Sequence, residues 1–268
     1  MYRQHFALKH YPFDVAPKAD ELFDFTAARE AGHRIGHLLE LRGIGLLTGE
    51  PGSGKTTICR QITSRLHPNQ YRVCYVTLST GTVLDAYNSI AAELGLERFT
   101  TRSAAFRGIQ SEVTRLVVEG RQYPVLIFDE AHHLHNANLE ELRILTNYEM
   151  DSENRLCLLL VGLTELRLRI HRMGIHQSLA QRIAIRCRLG GLDGDEVGGY
   201  LAHRLQLAGC EHDLFAGEAV ASLSLASKGV LRKLDKMAHL SLVAAFQDNA
   251  SRTVLAHHVE EAIGELAP

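Results

Sequence analysis

The stretch GEPGSGKTT at residues 49–57 restricts the possible fold of this chain more than any other feature of its sequence. It fits the pattern GxxxxGK[ST] and lies between a short apolar run at 44–48 and a segment with helical spacing. Glycines at this place let backbone N–H groups turn towards phosphate oxygens, and the start of the following helix attracts negative charge. The pattern predicts a phosphate-binding loop between a buried strand and a helix.

Two side chains of this loop have a specific chemistry. Lys55 can reach the β- and γ-phosphates of a nucleotide and stabilise them during reaction, and the Thr56 hydroxyl is a suitable ligand for Mg²⁺. We therefore expect ATP and Mg²⁺ as the ligands. The predicted nucleotide-binding residues of the loop are Gly49, Glu50, Pro51, Gly52, Ser53, Gly54, Lys55, Thr56 and Thr57.

A second motif, VLIFDE at 125–130, is an apolar run that ends in two carboxylates. A buried strand of this kind would place Asp129 beside the metal ion and Glu130 beside the attacking water. Asp129 is thus a predicted ligand of the nucleotide and metal together with Thr56, and Glu130 is the predicted catalytic base. Alone the motif is weak, because charged strand ends are common, but the loop upstream favours the catalytic interpretation.

Three histidines follow the acidic pair, namely His132, His133 and His135. Their spacing completes no zinc ligand set and no cysteine lies nearby, so we do not expect a zinc site. The letters DEAH at 129–132 also occur in a helicase signature, but 268 residues leave little room for two helicase motor domains.

Helical and strand patterns alternate from residue 26 onwards, and their continuous apolar strands are typical of a parallel sheet covered by helices on both faces. Ser103 is the predicted cap of one of these helices, and another is expected from Asn138 to about Tyr148.

From Asp193 the pattern is helical only. We predict an α/β domain over residues 1–190, with an N-terminal segment at 1–25, followed by a small all-helical lid domain over 191–268.

Composition is that of an ordinary soluble globular protein, with 46% hydrophobic and 22% charged residues. No stretch approaches the ~20 apolar residues of a membrane-spanning helix, and the N-terminal residues lack the apolar core of a signal peptide. Five cysteines without a CxxC pair are typical of reduced thiols. These features favour a cytoplasmic protein that does not enter a membrane.

The net charge of −2 argues against nucleic-acid binding through overall charge, although a local basic surface remains compatible with it. Arginine is the main basic residue, and its planar fork suits phosphate. Six arginines fall within residues 165–188: Arg167, Arg169, Arg172, Arg182, Arg186 and Arg188. For most of these arginines, the alternative to phosphate binding is a solvated helix face.

In their order, the motifs resemble a known family. The runs LRGIGLLTGEPGSGKTTICR, VLIFDEAHHL, LAQRI and KGVLRKLDKMAHLSLVAA are similar to those of AAA+ ATPases related to the secretion ATPase ExeA, and within them to transposon-encoded target-selection ATPases akin to TnsC, TniB and MuB. The resemblance covers nearly the whole chain. It implies a P-loop AAA+ fold, ATP hydrolysis and a homo-oligomer in the form of a ring or helical filament.

The resemblance also implies roles for residues outside the two motifs. Arg182 in LAQRI matches the arginine finger, which completes the site of a neighbouring subunit, and Arg232 in GVLRKL matches the lid arginine that touches the γ-phosphate. Pro12 and Phe13 resemble the N-terminal segment that lies near the adenine. The alternative for Arg182 is a surface arginine packed on a helix. The alternative for Arg232 is a solvated position at the start of a helix.

One position departs from the family pattern. Relatives usually place glutamine or threonine after the VG that ends the next strand, whereas Leu163 follows Gly162 in this chain. Leucine cannot orient a water or touch phosphate, although Thr164 is adjacent. The role of this position in relatives, called the first sensor, is therefore in doubt for this chain. Slow hydrolysis would be compatible with this departure.

Two functions compete beyond ATP binding. The chain resembles DNA-binding ATPases that oligomerise on duplex DNA and deliver a target to a transposase, and this interpretation is favoured because the sequence contains no membrane helix or peptidoglycan-binding region of the ExeA type. The alternative is an ExeA- or MshM-like assembly ATPase of a secretion or pilus system. A switch that never hydrolyses ATP is disfavoured because Glu130 is present.

In relatives, DNA is contacted by the loop after the second strand and by the helices beside it. The matching residues here are Thr80, Thr82, Arg102 and Arg107. Hydroxyl and guanidinium groups contact phosphates and carry no base readout, so we expect sequence-independent binding of duplex DNA. The alternative is that Thr82 caps its helix and the two arginines are solvated.

Overall fold

The computed structural model describes residues 2–14, 17–77, 81–172, 174–248 and 251–266. The chain forms two compact units. One, called the sheet unit below, contains Glu30–Glu50 and Lys55–Leu189; the other, called the helical unit, contains Met1–Arg29, Pro51–Gly54 and Gly190–Pro268. The N-terminal segment thus groups with the helical unit, whereas the sequence had placed residues 1–25 with the α/β part.

Five parallel strands build the sheet unit, in the order β2-β3-β4-β1-β5. The strands β1 and β4 are buried along their whole length, as expected for apolar runs in the middle of a parallel sheet. The strands are β1 (Ile44–Gly49), β2 (Tyr71–Val76), β3 (Tyr123–Phe128), β4 (Cys157–Gly162) and β5 (Ile183–Leu189).

Helices cover both faces of this sheet, which confirms the predicted fold class. On one face, Leu38 and Cys59 of the first two long helices meet Ile127 and Leu159. On the other face, a larger core forms around side chains such as Leu126 and Leu158, whose neighbours in sequence point the opposite way. The helices are α1 (Tyr2–His5), α2 (Thr26–Leu41), α3 (Lys55–Ser64), α4 (Val83–Leu94), α5 (Arg102–Val118), α6 (Asn136–Leu145), α7 (Thr164–Arg172), α8 (Gln177–Arg182), α9 (Gly194–Leu207), α10 (Gly217–Ser227), α11 (Leu231–Gln247) and α12 (Ala256–Leu266).

Two helix boundaries differ from the prediction. The α5 helix is capped by Thr101, whose hydroxyl accepts a hydrogen bond from Ala104 N–H at 3.3 Å, so the prediction of Ser103 as the cap was wrong. The α6 helix begins at Asn136 rather than Asn138 and ends at Leu145, because the chain turns at Thr146 before Tyr148 is reached.

The edge strand β5 was not predicted. Its buried residues alternate with Arg186 and Arg188, which are exposed, and it pairs with β1 alone among the described strands. Because two of its exposed positions are arginines, its sequence pattern is more typical of a run of solvated arginines than of a half-buried strand.

Contacts from distant parts of the sequence hold the helical unit together. The Glu196 carboxylate accepts hydrogen bonds from Asp193 N–H at 3.0 Å and from the N–H and hydroxyl of Thr26, both at 2.7 Å. At Gly229 a Cβ would lie 2.1 Å from Leu192 O, so only glycine permits this approach.

All five cysteines are free and buried. Burial raises the pKa of the Cys59 and Cys157 thiols to about 12, which keeps both protonated and unreactive near neutral pH. None of the helices in the described ranges combines the length and the apolar character that crossing a membrane requires.

Candidate nucleotide site

The loop after β1 has the conformation that its glycines allow. Gly52 and Gly54 have φ angles of 78° and 93°, a region that residues with a Cβ rarely adopt. Ser53 is buried, and among the described residues its Oγ has no hydrogen-bond partner. A buried hydroxyl without a partner is costly, which indicates that a bound polar group completes this loop.

Lys55 is the first residue of α3, and its side chain is buried. Its Nζ donates to the carbonyls of Gly49 at 3.1 Å and Glu50 at 2.9 Å, and so lies against the start of the loop. These two hydrogen bonds hold the ammonium group at the start of the loop, where it can meet an anionic ligand.

Asp129 is the centre of the acidic site. It is buried at the end of β3, and its Oδ2 accepts hydrogen bonds from the Thr56 hydroxyl at 2.6 Å and the Tyr75 hydroxyl at 2.5 Å. Its Oδ1 accepts from Glu130 N–H at 2.8 Å. The structure therefore brings together the hydroxyl and the carboxylate that the two motifs predicted to be neighbours.

Tyr75 is a residue of this site that sequence reasoning missed. It lies one residue before the end of β2 and pairs in register with Ile127 of β3. Burial and the hydrogen bond to Asp129 raise the pKa of its phenol, so it remains a donor at all physiological pH values. The available signal was weak, namely a tyrosine near the end of β2, whose hydroxyl needs a partner when it is buried.

The donor set at this point fits Mg²⁺, which prefers hard oxygen ligands. Thr56 Oγ1 and Asp129 Oδ2 supply a neutral and an anionic oxygen, and Thr56 is exposed at the start of α3. These two residues would hold the ion, and this role remains a prediction.

Glu130 is held in the left-handed backbone region, with φ 52° and ψ 32°. Its side chain is 51% exposed, and its Oε2 lies 3.4 Å from Nδ1 of His132, which is only 10% exposed. A carboxylate that is exposed next to a buried one is well placed to accept a proton from a water molecule.

Residues 38–170, which include the loop, Asp129 and Glu130, match the AAA domain family. The chain belongs to the AAA+ ATPases. The predicted family and fold class are thereby confirmed, including the helical region that follows the sheet.

Two curated relatives are similar to this AAA+ chain. General secretion pathway protein A of Aeromonas hydrophila is 33% identical over 257 residues, which are 95% of this chain and 46% of that protein. ATP-dependent target DNA activator B of Escherichia phage Mu is 35% identical over 119 residues, which are 44% of this chain and 34% of that protein. The chain thus spans less than half the length of either relative.

Among solved structures, Cdc6p of Pyrobaculum aerophilum has a TM-score of 0.71 with this chain at 17% identity. The match covers 95% of this chain and 70% of that one. At such low identity it supports the AAA+ fold and nothing more specific.

In the helical unit, Arg232 lies against the phosphate loop. Its backbone N–H donates to Gly52 O at 3.1 Å, and a Cβ at Gly52 would approach the Arg232 Cβ to 2.5 Å. The residue is exposed in the first turn of α11. The structure thus brings the predicted lid arginine beside the loop, although its contact with phosphate remains a prediction.

Pro12 and Phe13 are engaged inside the helical unit. Pro12 O accepts two hydrogen bonds from the buried Arg204 guanidinium, one of them at 2.8 Å. The buried Phe13 ring lies 6.1 Å from the Phe215 ring, centroid to centroid. These contacts fix the segment in place, and its proximity to adenine remains a prediction.

Arg182 is the last residue of α8, directly before β5. Of the other arginines in this region, Arg169 is used internally, because it donates to His132 O at 3.0 Å and Leu134 O at 2.8 Å. Four arginines, Arg34, Arg167, Arg186 and Arg188, line a cleft of about 330 Å³ beside β5, with Glu30 as its one acidic residue.

Two of the described residues predicted to contact DNA have partners within the chain. Thr82 caps α4 through its hydroxyl, which accepts from Asp85 N–H at 3.2 Å, and Arg102 forms an ion pair with Glu141. Arg107 is exposed and lines a separate cleft of about 370 Å³. Thr80 lies outside the described residues.

The three histidines that follow the acidic pair do not form one cluster. His132 and His133 lie together with Glu130, their ligand atoms all within 4.8 Å, whereas His135 is exposed just before α6.

Proposed function

We propose that this AAA+ ATPase binds and hydrolyses ATP at the loop around Lys55. The observation that carries this proposal is the 2.6 Å contact between Thr56 and Asp129, which joins two motifs 73 residues apart in sequence. Lys55 binds the β- and γ-phosphates, and Glu130 accepts the proton of the attacking water. When bound, Mg²⁺ would neutralise charge on the phosphates.

Assembly completes the site in this proposal, because Arg182 acts on the nucleotide of a neighbouring subunit. Arg182→Ala and Lys55→Ala should then each abolish steady-state hydrolysis, while a mixture of the two variants regains about a quarter of the wild-type rate. The recovery arises because some interfaces combine an intact loop with an intact finger. Phosphate release is measured across mixing ratios.

Arg65→Ala is the matched control for Arg182→Ala, since Arg65 is exposed at the end of α3. It should keep the wild-type rate alone. No recovery at any ratio, with mixed assembly confirmed by sedimentation, would contradict the finger role of Arg182.

The larger function that we propose is ATP-dependent assembly on duplex DNA, with delivery of that DNA to a transposase. The similarity to target DNA activator B supports it. Charge distribution adds support, since basic residues outnumber acidic ones in the sheet unit and the reverse holds in the helical unit. The four-arginine cleft beside β5 is a surface suited to phosphate.

DNA binding should therefore depend on ATP, on duplex length and on salt. A single subunit of net charge −2 binds weakly, whereas many subunits along one duplex add their phosphate contacts. Fluorescence anisotropy with short and long duplexes, with ATP or ADP and across a salt series, measures this. We expect binding of long duplexes with ATP, weakening steeply as salt rises.

A second candidate function is supported by the long match to General secretion pathway protein A, which extends over 95% of this chain. In that case the ATPase drives assembly of a secretion or pilus system. ATP hydrolysis without DNA binding on long duplexes at low salt would favour this candidate over transposition.

A further inference from the structure

His132 lies between the proposed catalytic base and the end of β4. Its Nδ1 is 3.4 Å from Glu130 Oε2 on one side and 3.5 Å from the backbone N of Leu163 on the other. Because the Leu163 side chain is apolar, its backbone N–H is the polar group that this residue offers to His132.

Nearby packing fixes the imidazole in this place. Arg169 donates to the carbonyls of His132 and Leu134, and so clamps the short turn Ala131–His133. From the other side β4 approaches closely, since a Cβ at Gly162 would lie 3.1 Å from His132 N and 3.4 Å from its Nδ1. The ring therefore has little freedom to leave either neighbour.

One nitrogen cannot serve both neighbours at once. A neutral imidazole carries one N–H and one lone pair, so Nδ1 either accepts from Leu163 N–H or donates to the Glu130 carboxylate. Burial and the neighbouring His133 lower the pKa of His132, so the ring is neutral near pH 7 and the choice is between two tautomers.

We propose that His132 is a positioning residue that holds the Glu130 carboxylate in one orientation by donating to it through Nδ1. With Nδ1 accepting from Leu163, the carboxylate is released from this contact. With Nδ1 donating, the carboxylate is already oriented when water binds, and this preorganisation favours proton transfer. This inference rests on the proposed role of Glu130.

The test compares His132→Ala and His132→Gln with His135→Gln as the control, because His135 is exposed just before α6 and lies outside the cluster of Glu130, His132 and His133. We expect His132→Ala to lower kcat about 10- to 100-fold, the scale of loss from misplaced catalytic groups. Affinity for a fluorescent ATP analogue stays unchanged. His132→Gln restores kcat to within about threefold, since an amide both donates to Glu130 and accepts from Leu163.

Two further measurements separate positioning from folding and from failure of the wider proposal. Thermal midpoints exclude simple destabilisation, and His132→Ala should add no further loss in a Glu130→Gln background. An unchanged kcat in His132→Ala would overturn the inference. An equal loss of kcat in the alanine and glutamine variants, at unchanged thermal midpoints, would overturn it as well. Full activity of Glu130→Gln would instead refute the proposed role of Glu130.

Discussion

Lys55→Ala is expected to weaken the binding of ATP at least 100-fold. The wild-type ammonium is buried against two backbone carbonyls at the start of the loop, so it supplies a fixed positive charge. Hydrogen bonds to charged groups are worth about 1.5–3 kcal/mol each, and about 1.4 kcal/mol is a tenfold change in Kd. Loss of two such bonds to phosphate gives the expected factor, measured by titration with a fluorescent ATP analogue.

Lys18→Ala is the control for this variant, because Lys18 is exposed and lies outside the loop. Its affinity should equal that of the wild type. If Lys55→Ala bound the analogue as tightly as Lys18→Ala does, the loop would not be the nucleotide site.

Glu130→Gln should lower kcat for ATP hydrolysis by about 10²- to 10⁴-fold, the usual contribution of a general base. Affinity for ATP should stay within about threefold, because Thr56 and Asp129 keep their contact at 2.6 Å. Glutamine preserves the shape and the neighbouring backbone but cannot take up the proton. Single-turnover and steady-state phosphate release measure the loss.

Glu119→Gln serves as the control, since Glu119 is exposed beyond α5 and precedes β3, whereas Glu130 follows the opposite end of that strand. Equal rates in Glu130→Gln and Glu119→Gln would transfer the role of base to another group. An accumulated ATP-bound assembly in Glu130→Gln, seen by sedimentation, would agree with the proposal.

Elements whose signals are local in sequence were predicted well. The α4 helix is an example, because the Thr82 cap, the apolar spacing and the left-handed Gly95 at its end all lie within fourteen residues. The strand β5 was not predicted, for the opposite reason. Its identity depends on pairing with β1, more than a hundred residues away, and its arginines conceal the alternation of buried positions.

The same distinction applies to the site. The contact between Thr56 and Asp129 could be predicted because each residue belongs to a motif whose chemistry places it beside the same metal ion. Tyr75 was missed because its partner Asp129 lies 54 residues further on, and no pattern in β2 indicates it.

Contact of Thr82 and Arg102 with DNA remains a prediction, but the structure shows what each of them contacts within the chain. Thr82 and Asp85 form a reciprocal capping pair, with Thr82 N–H donating to the Asp85 carboxylate at 2.9 Å. That pair was visible in the sequence as a threonine followed three residues later by an acid. The partner of Arg102, Glu141, lies 39 residues away and could not be inferred.

The position of β1 within the sheet has a consequence for how the chain acquires its structure during synthesis. The first strand to leave the ribosome is the one that needs two partners made much later, since Leu46 pairs with Leu160 on one side and with Arg186 on the other. Until about residue 162 has emerged, β1 has both hydrogen-bonding edges open, and the edge that β5 covers stays open until about residue 189. By contrast, β2 and β3 can pair with each other earlier. Sheets built from such distant pairings form slowly and expose strand edges on the way. Nascent chains that end before β5 are therefore the species of this protein most prone to aggregate.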